Sequence, residues 1–188
     1  ALTGLLVSNN NLNNLDLSNN TDLVSLNCTY NNLSTLDLSN NILLEYLDCN
    51  HNSLSSLNLT NLTNIIEINC SANVLQTLDL TNKPDLSYLA CSYNNLSSLD
   101  ISTNTSLTHL SCGENDISNL DISNNPLLYS LWCNNCNLST LDTSIHTALT
   151  YLYCHENNLN SLDTTNNSAL IELNCSDNNL SNIDITNN

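Results

Sequence analysis

Cysteine is the most reactive residue type in this sequence, and it recurs at a fixed interval. Free cysteine packs as a small buried apolar residue. A disulfide would need a twist of about 90° between the two Cβ–S bonds, which neighbouring residues of one straight column do not readily supply. We therefore predict a ladder of reduced, buried thiols rather than disulfides. Eight of the nine cysteines follow one another in steps of 21 residues: Cys28, Cys49, Cys70, Cys91, Cys112, Cys133, Cys154 and Cys175.

The ninth cysteine, Cys136, forms a C-x-x-C pair with Cys133. Such a pair can bind zinc, but zinc needs four converging ligands in tetrahedral geometry. Each of the two residues is already explained by its position in the repeat, Cys133 by the ladder and Cys136 by the asparagine position described below. We predict neither a redox nor a metal role for this pair.

A column of aspartates repeats at the same interval and could bind cations. Adjacent carboxylates about 5 Å apart would repel each other by roughly 0.9 kcal/mol in water. Three arrangements would offset this repulsion: hydrogen bonds from backbone N–H groups or nearby Ser and Thr, bridging cations such as calcium, or raised pKa values. The first is favoured, and no cofactor is required. The column comprises Asp16, Asp37, Asp79, Asp100, Asp121, Asp142, Asp163 and Asp184, with Asn58 in the gap, and Asp79, Asp100, Asp121, Asp142 and Asp163 are the candidate calcium ligands.

The histidines and glutamates form no catalytic arrangement. His109 and His155 are predicted to point outward on distant repeats, and His51 and His146 to lie in bends. No nucleophile is paired with any of them, and a hydrolase needs a cleft with converging groups. The sequence therefore predicts a protein that is not an enzyme.

The elements that position these columns are nine in-register repeats of 21 residues, the last one residue short, which form residues 1–188 as a single domain without recognisable caps. The repeat reads x-L-x-x-L-x-C-x-x-N-x-L-x-x-L-D-L-S-x-N-x. Its asparagine should place its amide inside a turn and bond to backbone groups of adjacent coils. The asparagine column is Asn10, Asn31, Asn52, Asn73, Asn94, Asn115, Asn157 and Asn178, with Cys136 in the missing place.

The run L-x-x-L-x-C-x-x-N-x-L resembles the signature of the leucine-rich-repeat family, in which cysteine can replace the asparagine, as at Cys136. With its cysteine at the inward strand position and its 21-residue period, the sequence looks most like the cysteine-ladder repeats of internalin-like bacterial surface proteins. The resemblance covers the whole chain. It implies a solenoid that binds partners through the outward face of its strands.

Alternation within the repeat agrees with a solenoid. In Leu26-Asn27-Cys28 the first and third side chains point inward and the middle one outward. Each repeat then adds one short strand to a parallel sheet, and at about 4.8 Å per strand nine coils make a rod of roughly 43 Å. The segment 36–39 (LDLS) and its equivalents form the opposite wall, extended or irregular, with essentially no α-helix.

Outward strand positions carry most of the aromatic residues. Trp and Tyr are frequent interface anchors, so a binding patch is one interpretation. A stacked pair that only stabilises the sheet is the other. The candidate binding residues are Trp132, Tyr151, Tyr153, His155, Tyr88 and Tyr46.

The charge balance limits the partners. A net charge of −17 with one cation, Lys83, excludes nucleic acid as a natural partner and argues against binding to an anionic membrane. No apolar run reaches the roughly 18 residues of a membrane span. The Asn-, Ser- and Thr-rich surface favours an extracellular or cell-surface location. Its best-placed N-x-S/T triplets for glycosylation are Asn32, Asn95, Asn137 and Asn179.

Two functions fit these observations. Because the chain starts and stops in repeat phase, end coils of different molecules could stack head to tail into an extracellular fibre. Alternatively, the chain is the repeat region of a surface adhesin that binds a protein or a glycan through its strand face. The near-integral repeat number favours the fibre, and the aromatic cluster favours the adhesin.

Overall fold

The computed structural model describes residues 1–188 as nine coils, each contributing one three-residue strand to a single parallel sheet. Strand order follows chain order, and every strand pairs with the next in a register of 21 residues, as in Leu26 opposite Leu47. The structure contains no helix, and hence none that could cross a membrane. The strands are β1 (Gly4–Leu6), β2 (Ser25–Asn27), β3 (Tyr46–Asp48), β4 (Glu67–Asn69), β5 (Tyr88–Ala90), β6 (His109–Ser111), β7 (Ser130–Trp132), β8 (Tyr151–Tyr153) and β9 (Glu172–Asn174).

One continuous core runs the length of the solenoid. The central strand residue, such as Leu89, points inward together with the cysteine two positions later and the leucines of the opposite wall. All nine cysteines are free thiols, as predicted, and Cys175 alone is only half-buried because it lies in the last coil. Burial raises the pKa of Cys28, Cys70 and Cys154 to about 12, so these thiols stay protonated at neutral pH.

The predicted asparagine column is confirmed as a hydrogen-bonded ladder. The Asn94 Nδ2 donates to the carbonyl oxygens of Cys70, Cys91 and Ser92 at 3.0–3.3 Å. Its Oδ1 accepts the Leu75 N–H at 3.0 Å. One amide therefore joins two coils and satisfies buried backbone groups at the bend. At Cys136 the thiol donates to the Cys112 carbonyl at 3.3 Å, a weaker substitute for the amide.

A second asparagine column, formed by the second N of the repeat, for which no role was predicted, lies at the bend that follows the aspartate wall. The Asn104 Nδ2 donates to the carbonyls of Leu80 and Lys83 at 3.0 Å. Lys83 itself occupies this column, almost fully buried, and its Nζ donates to the Thr81 carbonyl at 2.9 Å. His146 also belongs to it. His146 was predicted to lie in a bend, and in the structure its ring is fully buried there and contacts the Ile122 carbonyl through Nε2.

Each of the nine coils has one residue in the left-handed region directly before the first asparagine column. None of these residues is glycine, and their φ angles lie between 50° and 57°. Left-handed backbone costs a residue with a side chain roughly 1–2 kcal/mol, so the turn is held by the bonds around it. The residues are Asn9, Tyr30, His51, Ala72, Tyr93, Glu114, Asn135, Glu156 and Asp177.

The opposite wall is irregular rather than stranded. Segment 36–39 keeps its apolar residues buried and its polar residues exposed, but it forms no strand ladder with neighbouring coils. The sheet wall is therefore the only regular surface, and its outward side chains stand in straight rows set by the 21-residue register.

Candidate functional site

The row of outward residues at the end of each strand changes character along the sheet. Small residues, Ala90 on β5 and Ser111 on β6, are followed in register by Trp132 on β7 and Tyr153 on β8. Neighbouring strands lie about 4.8 Å apart. Two small side chains beside two large rings therefore create a step in the surface.

The two rings form a rigid wall at this step. The Trp132 and Tyr153 centroids are 3.9 Å apart with 27° between their planes, and Trp132 Nε1 donates to Ser130 Oγ at 3.1 Å. Hydrogen bonding to the Glu172 carboxylate raises the pKa of the Tyr153 hydroxyl to about 12. Trp132 still exposes 42% of its surface. Because Tyr153 covers the indole face that points towards β8, the open face of Trp132 is directed towards β6.

A groove of about 490 Å³ lies beside that open face. Ala90 and Ser111 form part of its floor, and the Ser92 and Ser111 hydroxyls hydrogen-bond each other at 2.8 Å. Tyr88 and Trp132 both line it, so aromatic rings bound the small residues on two sides. The arrangement is a slot about two strands wide, with Ala90 and a hydrogen-bonded pair of serines as its floor.

A carboxylate stands at the edge of the slot. Glu114 lies in the left-handed turn after β6 and also lines the groove. Its Oε1 accepts Asn134 Nδ2 at 3.3 Å, and its Oε2 accepts Asn135 Nδ2 at 2.7 Å. Gly113 allows this packing, since a Cβ there would lie 2.9 Å from the Asn134 carbonyl oxygen. The carboxylate is thus oriented by two amides of the next coil.

A second groove of about 280 Å³ continues the first towards β2 and shares Tyr88 and Asn69 with it. Tyr46, Asp48 and Glu67 line this part. Desolvation raises the pKa of Asp48, and burial together with the charges of Asp48 and Glu67 raises the pKa of Tyr88. The outward face therefore combines aromatic rings with carboxylates along one continuous furrow.

The structure brings some of the predicted binding residues together and separates others. Tyr88, Trp132 and His155 share the larger groove, and Tyr46 meets Tyr88 in the smaller one. Tyr151 lies beside Ser130, in the row at the start of the strands, not in the row of Trp132 and Tyr153. The interpretation of a stacked pair and that of a binding patch are both compatible with this geometry.

Several groove residues were not predicted as binding residues. Glu114 carries no sequence signal beyond its place in a turn. The small residues Ala90 and Ser111 become informative only when the register sets them beside Trp132. Neighbouring the groove, the His109 ring contacts Tyr129 edge-on at 4.2 Å, and burial lowers the pKa of His109.

The aspartate column has the predicted local hydrogen bonds. In eight coils the carboxylate accepts the N–H of the Ser or Thr two residues later, as Asp79 accepts the Thr81 N–H at 2.9 Å, and Asn58 accepts the Thr60 N–H in the same way. These backbone bonds are the main cause that lowers the pKa of Asp16, Asp37, Asp79 and Asp163. For Asp100, Asp121 and Asp142 the main cause is the bond from the serine hydroxyl. The alternative of raised pKa values was wrong, because the exposed carboxylates are stabilised in their charged form.

No three His, Cys, Asp or Glu side chains come together in a way that could hold a metal ion. Asp121, Asp142 and Asp163 line one shallow groove on the irregular wall. Cation binding by this column stays a prediction. The four preferred glycosylation triplets all present an exposed asparagine, and their modification also stays a prediction: Asn32, Asn95, Asn137 and Asn179.

Solved structures of bacterial proteins are similar to this chain over most of its length. The functional domain of InlJ from Listeria monocytogenes, which includes a cysteine ladder, is 36% identical with a TM-score of 0.83, and the match covers 99% of this chain and 46% of that one. The leucine-rich effector protein YopM from Yersinia pestis is 29% identical with a TM-score of 0.83, covering 97% and 51%. Internalin C2 from Listeria monocytogenes, at 18% identity and a TM-score of 0.88, covers 93% and 80% and shows the shared fold alone.

The chain spans about half the length of InlJ and YopM. No family model matches the sequence, and no curated protein sequence does. The in-register repeat, the single parallel sheet, the asparagine ladder and the cysteine ladder agree with these solved structures. The chain is a leucine-rich-repeat protein, and its cysteine ladder is similar to that of InlJ.

Proposed function

We propose that the chain is a non-catalytic recognition protein of the cell surface or extracellular space, which binds a partner protein through the outward face of its sheet. One observation carries the proposal: the larger groove of the outward face, in which the exposed ring of Trp132 and the half-buried ring of Tyr88 stand beside the small residues Ala90 and Ser111. Aromatic anchors beside open pockets dominate the energetics of protein interfaces.

Rigidity supports the same proposal. Trp132 is fixed by stacking and by the bond to Ser130, so little side-chain entropy is lost when a partner orders the ring. The similarity to InlJ and YopM places the chain among repeat proteins, and repeat solenoids commonly offer extended surfaces of this kind for binding.

A paired library screen tests this function. Phage-displayed random peptides and an immobilised glycan panel are screened with the native chain, Trp132→Ala and a matched control, Tyr30→Ala. Tyr30 is also an exposed stacked aromatic, 4.1 Å from His51, but it lies outside the groove lining. We expect peptides that bind the native chain and Tyr30→Ala but not Trp132→Ala. Selection of glycans alone, or of peptides indifferent to Trp132, would contradict the proposal.

A fibre, in which end coils of different molecules stack head to tail, is the second candidate. Leu5 and Leu12 in the first coil and Leu173 and Leu180 in the last are only partly buried, whereas their counterparts in internal coils are fully buried. A second copy of the chain would cover these leucines, as would further coils of the same polypeptide.

Negative-stain electron microscopy over a concentration series, with and without a calcium chelator, separates these arrangements. Filaments that lengthen with concentration would support the fibre, and their loss on chelation would implicate the aspartate column. Isolated short rods at every concentration would remove the fibre and leave the recognition function unaffected.

A further inference from the structure

The outward furrow carries carboxylates that no lysine or arginine of the chain neutralises. Asp48 and Glu67 line its β3–β4 part, and Glu114 lines its β5–β7 part. Lys83 is the only lysine or arginine in the sequence, and it is buried in the second asparagine column, bonded to the Thr81 carbonyl. The negative potential of the furrow is therefore available to a partner, which favours a basic one.

The slot beside Trp132 has the shape and chemistry of a site for a flat cation. The open face of the indole lies next to Ser111, where the floor is low, and the opposite face is covered by Tyr153. Cations bind over the face of an aromatic ring, and tryptophan gives the strongest interaction. Stacking on Tyr153 keeps the indole upright, so its open face is presented without rearrangement.

Glu114 adds a directed charge to this slot. Both of its oxygens already accept one amide bond, from Asn134 and Asn135, and each oxygen keeps a further lone pair. These two bonds fix the carboxylate beside the groove that Trp132 also lines. A planar guanidinium can stack on an indole while it donates two hydrogen bonds to a carboxylate, which a lysine ammonium cannot do.

We propose that the furrow binds an arginine-bearing segment of a partner protein, with one guanidinium stacked on the open face of Trp132 and paired with Glu114. The carboxylates of Asp48 and Glu67 extend the same acidic surface two to three strands away and suit a second basic residue of the segment. This assignment rests on the proposed recognition function and names the chemistry of its ligand.

The single tryptophan makes the test direct, because all indole emission of the chain comes from Trp132. The probes are two acetylated, amidated pentapeptides that differ only in a central arginine or its uncharged isostere citrulline. We expect saturable quenching of Trp132 by the arginine peptide and binding weaker by roughly tenfold for the citrulline peptide. A lysine peptide should fall between the two.

Variants locate the binding charge. Glu114→Gln should weaken binding of the arginine peptide by roughly five- to tenfold. Glu156→Gln is the matched control, because Glu156 occupies the same left-handed turn position two coils later and its replacement changes the net charge equally. Binding to Glu156→Gln should equal that of the native chain. Ser111→Leu, which fills the slot, should abolish quenching while the circular dichroism spectrum stays native.

Three results would overturn the assignment: equal affinity for the arginine and citrulline peptides, equal affinities of Glu114→Gln and Glu156→Gln, or stronger quenching by a neutral oligosaccharide such as chitotriose. Trp132-dependent peptides without basic residues in the library screen would also overturn it, and they would leave the recognition function standing. No Trp132-dependent ligand in either experiment would remove both.

Discussion

Cys136 occupies a defect in the first asparagine ladder, and repairing it should stabilise the protein. On regular coils the ladder amide accepts a backbone N–H of the preceding coil, as Asn115 does from Leu96. At Cys136 there is no such acceptor, and the buried Ile117 N–H has no partner within the chain. The next residue, Asn137, adopts a φ of 63°, and its N–H also lacks the bond to the preceding coil that Asn95 and Asn158 make.

The expected effect of Cys136→Asn follows from these lost bonds. The amide would accept the Ile117 N–H and donate to the Cys133 carbonyl, and Asn137 could then return to the regular turn and donate to the Ile117 carbonyl. Three hydrogen bonds at about 1 kcal/mol each give about 3 kcal/mol. Exchanging a buried thiol for an amide costs about 1 kcal/mol of apolar burial. We therefore expect a net stabilisation of about 2 kcal/mol.

Urea unfolding followed by circular dichroism measures the stability, and hydrogen exchange at the Ile117 amide measures the repair locally. The reciprocal variant Asn94→Cys introduces the same defect into a regular coil and should lower the free energy of unfolding by about 2 kcal/mol. Unchanged exchange at Ile117, or a Cys136→Asn variant that is less stable than the native chain, would refute the view that the amide ladder holds the coils together.

Three further substitutions, one of them with a control variant, test other features. Ala72→Gly removes the strain of a left-handed backbone at a residue with a side chain, and it should raise the free energy of unfolding by about 1 kcal/mol. The control Ala90→Gly on β5 should lower the free energy of unfolding. Equal effects of the two variants would contradict the strain at the turn. Lys83→Asn restores the second asparagine column and removes a buried ammonium. It should therefore raise the free energy of unfolding by about 1–2 kcal/mol, measured by urea unfolding at neutral pH. Burial lowers the pKa of Lys83, so the stability gained by Lys83→Asn should shrink as the pH rises towards the ordinary lysine value of 10.5. A gain independent of pH would contradict the view that the buried charge of Lys83 destabilises the fold. Glu172→Gln should lower the pKa of Tyr153 from about 12 towards 10.0 in a tyrosinate absorbance titration, and no change would rule out the contact.

The spacing of the sequence determines most of the fold. Uninterrupted 21-residue columns predict nine parallel strands in register, and the alternation in Leu26-Asn27-Cys28 predicts which side chains point inward. The opposite wall has a similar alternation, yet it forms no strands. Its backbone groups bond to the amides of the second asparagine column and to the aspartates of the same coil, and no strand pairing forms between coils.

Features that depend on context were harder to predict. A left-handed turn usually shows as glycine or asparagine, but Tyr30, Ala72 and Glu156 occupy it here. His146 and Lys83 are polar residues in a column whose role only the neighbouring asparagines reveal.

The candidate site shows the same division between what periodicity predicts and what it does not. The aromatic residues were predictable from their outward positions. The slot was not, because it arises from small residues on two strands beside Trp132, and the orientation of Glu114 depends on amides 20 and 21 residues later.

The most direct test of the account is hydrogen exchange of the native chain with and without the most strongly enriched library peptide. Binding through the outward furrow predicts added protection in β5, β6 and β7 and in the turn that contains Glu114. Protection confined to the aspartate-bearing wall, or to the first and last coils, would contradict recognition through the outward face of the sheet.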